Sequence, residues 1–304
     1  MLKYELLSAW GYIVLLVIVF MVVISMFKRA GGREGFIQSD TFVIKNGSEV
    51  YDDFYSDIYD HLVFNTVKND YEIGAIVNST KLTHKSVILD VGCGTGHHVG
   101  TLKSKGYNVI GIDSSDSMVK RAKENYPDCT FQLKNVLSNQ IFRSQSFTHV
   151  LCMYFTIYCI QNKTMFFKNV FNWLTPGGYC MVHLVQRDKF DPILPPGNPI
   201  MFGSIQKHAE KRITSTKIKF TDFSYSANFK DDPQNSEQCL FEEKFVNDDN
   251  GKTRKNEHIL YMTSIPQIVK IAEQQGFLSQ GKVDLRKCQY DYQYVYIFMK
   301  PREN

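Results

Sequence analysis

The chain lacks paired cysteines, a metal-ligand cluster and any strong excess of charge. Its seven cysteines are scattered without a Cys-x-x-Cys pair, which argues against both a disulfide framework and a zinc site. No group of His, Asp and Glu has the spacing of metal ligands. The 35 basic and 31 acidic residues leave a formal net charge of +4, so the composition does not indicate a nucleic-acid partner. It predicts a metal-free protein of a reducing compartment, and it gives no indication of an oligomeric state.

Charge is also missing from a long N-terminal segment. Leu6–Phe27 contains no charged residue, and its centre is almost wholly aliphatic. As a helix it would be roughly 33 Å long, enough to cross the apolar core of a bilayer. A cleaved signal peptide and a buried soluble helix are the alternatives. However, the run exceeds a typical signal-peptide core, no Ala-x-Ala site follows it, and it has no polar face. We therefore expect a single-pass transmembrane helix, and hence a membrane partner, within residues 1–29.

The flanking charges indicate the orientation of this segment. Lys28, Arg29 and Arg33 follow it, whereas Lys3 and Glu5 precede it together with the amino terminus. The positive-inside rule then places the rest of the chain on the cytosolic side of the membrane.

The remainder of the chain is predicted to hold one domain. Residues 30–50 are polar and are predicted to be a linker, and residues 51–304 form the domain, with an insert at about residues 186–250 that shapes the substrate site. From Ser86 onward, short β-branched runs alternate with longer amphipathic segments, which is typical of a parallel α/β sheet. Strands are predicted at Ser86–Val91, Asn108–Ile112, Thr130–Leu133, Phe147–Tyr154, Tyr179–Val185, Lys217–Phe229, Leu240–Val246, Arg254–Met262 and Tyr292–Met299. Helices are predicted at 51–78, His97–Lys105, Ser115–Asn125, Lys163–Leu174 and Ile265–Gln275.

A glycine loop after the first of these strands is the strongest sign of function. The strand ends in Asp90, and Gly92-x-Gly94-x-Gly96 leads into a helix. Glycines allow tight turns of positive φ and a close approach of backbone to a ligand, and a helix N-terminus favours negative charge.

The spacing of the glycines argues against a dinucleotide site. The dinucleotide fingerprint is Gly-x-Gly-x-x-Gly, in which the third glycine allows close packing of helix on strand. Counted from Gly92, that position holds the bulky His97, and the third glycine, Gly96, comes one place early. NAD is therefore not the predicted ligand.

These motifs resemble the class I, Rossmann-like methyltransferase family. Residues 87–96 match its first motif, and Val109–Asp113 matches the second, a strand that ends in an acid. The resemblance continues through Phe131–Asn135, Phe147–Tyr154 and Leu174–Gly178, covering residues 51–185 well and 255–300 loosely. It implies a doubly wound α/β fold with a mostly parallel seven-stranded sheet, an antiparallel last strand, and S-adenosyl-L-methionine as cofactor.

The resemblance also implies which residues bind the cofactor. A carboxylate at Asp113 can accept hydrogen bonds from both ribose hydroxyls, whereas Asn135 stands where the family often has an Asp, and its carbonyl keeps the acceptor without the charge. Tyr55 belongs to a repeat with Tyr51 and Tyr59 that is expected on one helix face, over the cofactor or in the core. The full set of candidates is Tyr55, Asp90, Gly92, Cys93, Gly94, Gly96, Asp113, Ser114, Met118, Asn135, Val136 and Met153.

The catalytic candidates are His183 and Tyr158. His183 lies near the carboxyl end of a strand and is the candidate general base, since an imidazole titrates near neutrality. Tyr158 follows the fourth strand, in a loop expected beneath the transfer site. Ordinary packing is the alternative role for both residues.

The sequence therefore predicts a membrane-anchored, S-adenosylmethionine-dependent methyltransferase. Its acceptor, whether a small molecule, a lipid or a protein, is not indicated. The alternative function is a non-catalytic, membrane-tethered binding module that retains the cofactor fold.

Overall fold

The computed structural model describes residues 12–20, 41–138, 140–197, 205–232 and 237–302. The chain divides into two units, Met1–Phe36 and Ile37–Asn304. In the first unit, residues 12–20 (α1) are helical and exposed. The expected anchor spans Leu6–Phe27, and its residues 6–11 and 21–27 lie outside the described residues. Within the described ranges, no helix is both long enough and apolar enough to cross a membrane.

The second unit contains strands and helices in alternation. The strands are β1 (Phe42–Asn46), β2 (Val87–Val91), β3 (Asn108–Asp113), β4 (Thr130–Leu133), β5 (Phe147–Cys152), β6 (Leu174–Val185), β7 (Ser215–Lys219), β8 (Phe223–Asp231), β9 (Gln238–Asn247), β10 (Thr253–Tyr261), β11 (Leu278–Asp284) and β12 (Gln293–Met299). The helices are α2 (Asp53–Val63), α3 (Thr66–Thr80), α4 (His97–Ser104), α5 (Asp116–Asn125), α6 (Thr156–Cys159), α7 (Lys163–Trp173) and α8 (Ile265–Gln274).

Seven of the strands form one mixed sheet in the order β11-β12-β6-β5-β2-β3-β4. Strands β2 to β6 pair in parallel, and β12 runs antiparallel to β6. The predicted seven-stranded sheet with an antiparallel last strand is confirmed. The strand order reverses beside β2, and ligands of such sheets bind at this switch point, beyond the carboxyl ends of the strands.

Helices cover both faces of this sheet, as a doubly wound fold requires. On one face α7 and α8 contribute Phe166, Trp173 and Ile268 to a buried aromatic cluster. On the other, α3, α4 and α5 contribute residues such as Ile76 and Val99. Because the central strands are buried on both sides, they read in the sequence as continuous apolar runs rather than as alternating ones.

The insert, β1 and β10, which follows the insert, form a second sheet in the order β1-β10-β9-β8-β7. β7 to β10 form antiparallel pairs, whereas β1 joins β10 in parallel. Buried residues alternate with exposed ones along β8 and β10, which is the pattern of a sheet with one covered face.

The structure corrects five details of the sequence prediction. The single strand predicted over Lys217–Phe229 is two antiparallel strands, β7 and β8. The linker predicted over residues 30–50 contains β1, because Phe42–Asn46 pairs with β10. The single helix predicted over 51–78 is two helices, since Phe64 is extended and the Asn65 side chain caps α3 by accepting the Lys68 N–H. Strand β6 begins at Leu174, five residues before the predicted start of this strand at Tyr179. Strand β11, whose residues are mostly exposed, was not predicted.

Candidate functional site

A cavity of about 420 Å³ lies beyond the carboxyl ends of β2, β3 and β5. The glycine loop, the residues after β3 and the β5–α6 loop line it, together with Tyr51 and Tyr59 from the N-terminal part of the domain. Its volume is within the range of cofactor sites. The switch point of the sheet therefore carries a ligand-sized cavity.

The glycine loop takes the conformation that its residue types allow. Gly92, Gly94 and Gly96 all have positive φ, at 66°, 52° and 92°. A Cβ on Gly92 would lie 2.7 Å from Thr156 Oγ1, and one on Gly96 would lie 2.8 Å from the Phe131 ring. Larger residues would therefore push the loop away from β4 and from the β5–α6 loop, and this would distort the part of the cavity wall that the loop forms.

Asp113 connects the second motif to this loop. One carboxylate oxygen accepts the backbone N–H of Gly94 at 3.0 Å, and the other accepts that of Ser115 at 2.9 Å. Each oxygen keeps a lone pair for a ligand hydroxyl. Burial raises the pKa of Asp113, and the backbone N–H groups oppose that rise.

Asp90 is a buried carboxyl group that the protein itself does not neutralise. It is 2% exposed, it lines the cavity, and within the described ranges no residue hydrogen-bonds or ion-pairs with it. Burial raises its pKa to about 7, with His98 opposing the rise and Asp113 and Glu72 adding to it. A buried carboxyl group of this kind is available to a donor or a positive charge from a ligand.

Ten of the twelve predicted cofactor residues line this cavity. They are Asp90, Gly92, Cys93, Gly94, Asp113, Ser114, Met118, Asn135, Val136 and Met153. Of the other two, Gly96 shapes the loop from below as the N-cap of α4, and Tyr55 lies elsewhere. The Asn135 Oδ1 already accepts the Leu137 N–H at 2.9 Å, so one of its two lone pairs is used within the protein.

Residues 88–178 match the family described as Methyltransferase domain. Over 151 residues the chain is 27% identical to a dTDP-4-amino-2,3,4,6-tetradeoxy-D-glucose N,N-dimethyltransferase of Saccharopolyspora spinosa, covering 47% of this chain and 59% of that one. The chain spans between 38% and 59% of the length of the first three curated relatives that it matches.

Solved structures share the fold over most of this chain. The CcbJ methyltransferase of Streptomyces caelestis superposes with a TM-score of 0.63 at 17% identity, covering 83% of this chain and 98% of that one. CalS10, an amino pentose methyltransferase of Micromonospora echinaspora solved with S-adenosylmethionine bound, superposes with a TM-score of 0.53 at 15% identity, covering 79% and 98%.

Residues 88–178 therefore form a methyltransferase domain, and the chain has the fold of the solved methyltransferases. The family prediction and the cofactor prediction are thereby confirmed. The cavity of this methyltransferase domain suits the cofactor on two observations. Asp113 presents two carboxylate lone pairs where a ribose diol is expected, and Asp90 presents an unpartnered carboxylate to which an ammonium group can donate.

The two predicted catalytic residues lie outside the cavity wall of the methyltransferase domain. His183 is fully buried. Its Nδ1 donates to the Tyr154 carbonyl, and its Nε2 contacts the Gln293 amide group at 3.0 Å. Burial lowers its pKa to about 4. Because both ring nitrogens are engaged, the geometry gives His183 a structural role, holding Tyr154 at its positive φ of 49°.

Tyr158 is likewise buried and engaged. Its hydroxyl accepts the Val185 N–H at 2.8 Å and lies 3.4 Å from the Val185 carbonyl oxygen. It lines neither this cavity nor the smaller aromatic cavity beside it. The general-base role of His183 and the catalytic role of Tyr158 remain predictions that this geometry does not support.

A second cavity of about 140 Å³ adjoins the first. The two share Tyr51, Tyr59, Val63, Tyr154, Phe155 and Cys159. Its other walls come from the insert, through Phe190, Phe229 and Phe241, and from Tyr55. The predicted tyrosine repeat thus lines this second cavity, with Tyr51 placed before α2 rather than on it.

Three buried charged residues near this second cavity were missed by the sequence analysis. Lys68 lines it, 2% exposed, and pairs with the fully buried Glu72 at 3.3 Å. Glu243 is fully buried on β9. The sequence did indicate that Glu243 is buried. It lies two residues from both Phe241 and Phe245, so all three side chains are on the same, inward face of the strand.

Proposed function

We propose that the protein transfers a methyl group from S-adenosylmethionine to a small molecule held in the second cavity. One observation carries this proposal: a cavity lined by the methyltransferase motifs meets an aromatic cavity at a shared wall. Such an arrangement brings a bound acceptor to the edge of the cofactor site. The name of the Saccharopolyspora spinosa relative, an amino-sugar dimethyltransferase, supports an acceptor of small size.

The proposed reaction needs alignment more than covalent help. The sulfonium of the cofactor activates the methyl group, so the protein has to hold a nucleophile in line with it. Asp113 and the glycine loop would hold the ribose and methionyl portions, and Asp90 would receive the ammonium group. Tyr51, Tyr59 and Cys159 would surround the point at which the two cavities meet.

Calorimetry and a product assay test the proposal. The full chain, shown to be folded by circular dichroism, is titrated with S-adenosylmethionine and then incubated with small amines, hydroxyl compounds and carboxylic acids. We expect micromolar binding and acceptor-dependent S-adenosylhomocysteine. Lack of binding would contradict the cofactor assignment. Binding without product from any acceptor class would favour the alternative, a non-catalytic module that retains the cofactor fold.

We further propose that Leu6–Phe27 anchors this activity to a membrane with the domain on the cytosolic side. The uncharged run and the basic flank at Lys28, Arg29 and Arg33 support this placement. In a eukaryotic host, the full chain should remain in the membrane pellet after carbonate extraction, and the domain should be digested by protease added to intact microsomes. A variant lacking residues 1–33 is the control. Release of the full chain by carbonate would overturn the anchor, and protection from protease would overturn the orientation.

A further inference from the structure

The wall that β9 and β10 contribute to the second cavity carries a histidine–carboxylate pair. His258 on β10 lines the cavity, and its Nε2 lies 2.7 Å from Glu243 Oε2 on β9. Glu243 and Asn256 are directly opposite in the sheet, so His258, two residues further along the same face, reaches Glu243 diagonally. Both side chains are buried, with 7% and 0% exposure.

The contacts of Glu243 determine which nitrogen of His258 is free. The other Glu243 oxygen accepts the Tyr225 hydroxyl at 2.7 Å. Burial acts to raise the pKa of Glu243, but hydrogen bonds and charge from His258, with the Tyr225 and Tyr55 hydroxyls, lower it below its ordinary value. An ionised carboxylate only accepts, so Nε2 carries the proton. Nδ1 makes no hydrogen bond to any residue of the described ranges, so in the neutral form of the ring its lone pair is available to accept a proton.

Further residues hold the pair in place. Asn256 Nδ2 donates to Glu243 at 3.4 Å, and Arg254 donates to Asn256 Oδ1 at 2.8 Å and to Asp52 at 2.9 Å. The Arg254 charge is thereby matched by Asp52, before α2. A carboxylate held by this many groups orients the imidazole, as the acidic member of a catalytic triad does.

The size of the cavity limits the acceptor. A dry apolar cavity of about 150 Å³ accommodates one benzene ring, and this cavity is about 140 Å³. The rings of Tyr51, Tyr55 and Phe241 lie 5.5 to 5.6 Å from the His258 ring, between centroids. A single-ring molecule can therefore pack against aromatic faces with a polar substituent near His258.

We propose that His258 is the general base of this methyltransferase, oriented by Glu243, and that its acceptor is a single-ring amine or phenol. This inference rests on the function proposed above. As the acceptor's N–H or O–H nucleophile forms its bond to the methyl group, the carbon–sulfur bond breaks and its electron pair stays on sulfur. The proton of the nucleophile passes to His258 Nδ1. The resulting imidazolium is paired with Glu243 and later releases the proton to water.

Other titratable groups around the cavity would contribute to the pH dependence. Tyr51, Tyr55, Tyr59 and Tyr290 keep their protons at neutral pH, because burial raises the pKa of each hydroxyl. Burial likewise raises the pKa of the Cys159 thiol. Lys68 is matched by Glu72, and Asp191 lines the far wall beside Pro192.

The tautomer of His258 is a test that needs no turnover. Nitrogen-15 spectra of the full chain with labelled histidine, assigned with His258→Gln, should show a neutral ring protonated on Nε2. The Nε2 proton should be deshielded by Glu243, and Glu243→Gln should remove that deshielding. A neutral ring protonated on Nδ1 would overturn the proposal.

Kinetics supply the second test, with aniline, phenethylamine, phenol and tyramine as probes. The wild-type chain should form S-adenosylhomocysteine with at least one of them. His258→Gln, whose amide can still donate to Glu243, should lower kcat about 100-fold with S-adenosylmethionine affinity unchanged. Glu243→Gln should lower kcat and move its acid limb to lower pH, because the imidazolium loses its counter-ion. His84→Gln, at an exposed site, and Glu242→Gln, on the opposite face of β9, are the matched controls.

The outcomes separate the two proposals. If the wild-type chain binds cofactor and methylates only acceptors outside these probes, the acceptor class is wrong and the function proposed above stands. If a probe is methylated and His258→Gln has the kcat and pH profile of the wild type, the general-base assignment is wrong. If no acceptor of any class is methylated, the function proposed above fails first.

Discussion

Asp113, at the end of β3, accepts the backbone N–H of Gly94 at 3.0 Å. This hydrogen bond joins the acid of the second motif to the middle glycine of the first. The same carboxylate also accepts the Ser115 N–H before α5. Two motifs that lie about 20 residues apart in the chain therefore form one rigid edge of the cofactor cavity, and a change at Asp113 acts on both.

Asp113→Ala should weaken S-adenosylmethionine binding by a few kcal/mol, because charge-assisted hydrogen bonds contribute about 1.5 to 3 kcal/mol each. Calorimetry of the folded variant measures the loss. Asp128→Ala, at an exposed site, is the matched control and should bind as the wild type does. Equal affinity of the two variants would show that Asp113 does not hold the ribose.

Asp90→Asn should stabilise the unliganded protein and weaken cofactor binding. The pKa of Asp90 rises from its ordinary 3.8 to about 7 through burial, so the folded state binds the proton more tightly. Stability is therefore lost as pH rises from about 4 through 7, and the cost is full at pH 8. Urea unfolding at pH 8 should show a gain of a few kcal/mol for the variant, with a smaller gain at pH 5. An equal gain at both pH values would contradict this account.

Gly92→Ala should reduce cofactor binding by distorting the loop. The φ of 66° is unfavourable for alanine by about 1 to 2 kcal/mol, and its Cβ would contact Thr156. Adding Thr156→Ala should relieve the contact and recover part of the affinity, but not the part lost to φ.

The control for this pair is Gly74→Ala within α3, where a Cβ meets nothing within 4 Å. It should stabilise the protein by about 0.5 to 1 kcal/mol. Thermal unfolding and calorimetry of the three variants separate stability from binding. Wild-type affinity in Gly92→Ala would show that the loop accepts a side chain.

Lys68→Met should destabilise the protein by about 3 to 5 kcal/mol, because it leaves the Glu72 charge buried without its closest cation. Lys68 and His98 lower the pKa of Glu72 to about 2, against the effect of burial. The ionised pair therefore stabilises the fold above pH 4.5, and this stability is lost as pH falls towards 2.

Denaturant unfolding measures this effect. The double variant Lys68→Met/Glu72→Leu should recover most of the loss, since it removes both charges. If Lys68→Met alone were as stable as the wild type, Glu72 would have another partner for its charge.

Local chemistry accounts for what was predictable about the cofactor half. Asp90 and Asp113 lie at the ends of their strands, and the glycine loop directly follows the first of them. Glycines at positions of positive φ and acidic residues at strand ends can be recognised in the sequence itself. The boundaries of α4, α5, β4 and α8 were accordingly predicted to within two residues. The break between α2 and α3 was missed because its only signal is the cap at Asn65, inside a continuous apolar pattern.

The acceptor half was not predictable in this way. His183 stands at the carboxyl end of β6, as predicted, but its ring is directed to Tyr154 and Gln293. The rotamer of a side chain cannot be predicted from the hydrophobic periodicity of the sequence. Tyr55 follows the expected helical repeat and still faces the second cavity, since β10, about 200 residues later, supplies the surface that it packs against.

The sequence by itself determined the strands and helices of the cofactor half, the cofactor and the loop that holds it, because each depends on residues that are neighbours along the chain. Only the tertiary structure decided that β1, β10 and the insert form one sheet, that this sheet contributes a wall of the second cavity, and that His258 meets Glu243 there. Those contacts join segments separated by many residues, and the register of strand pairing, which no local pattern encodes, brings them together.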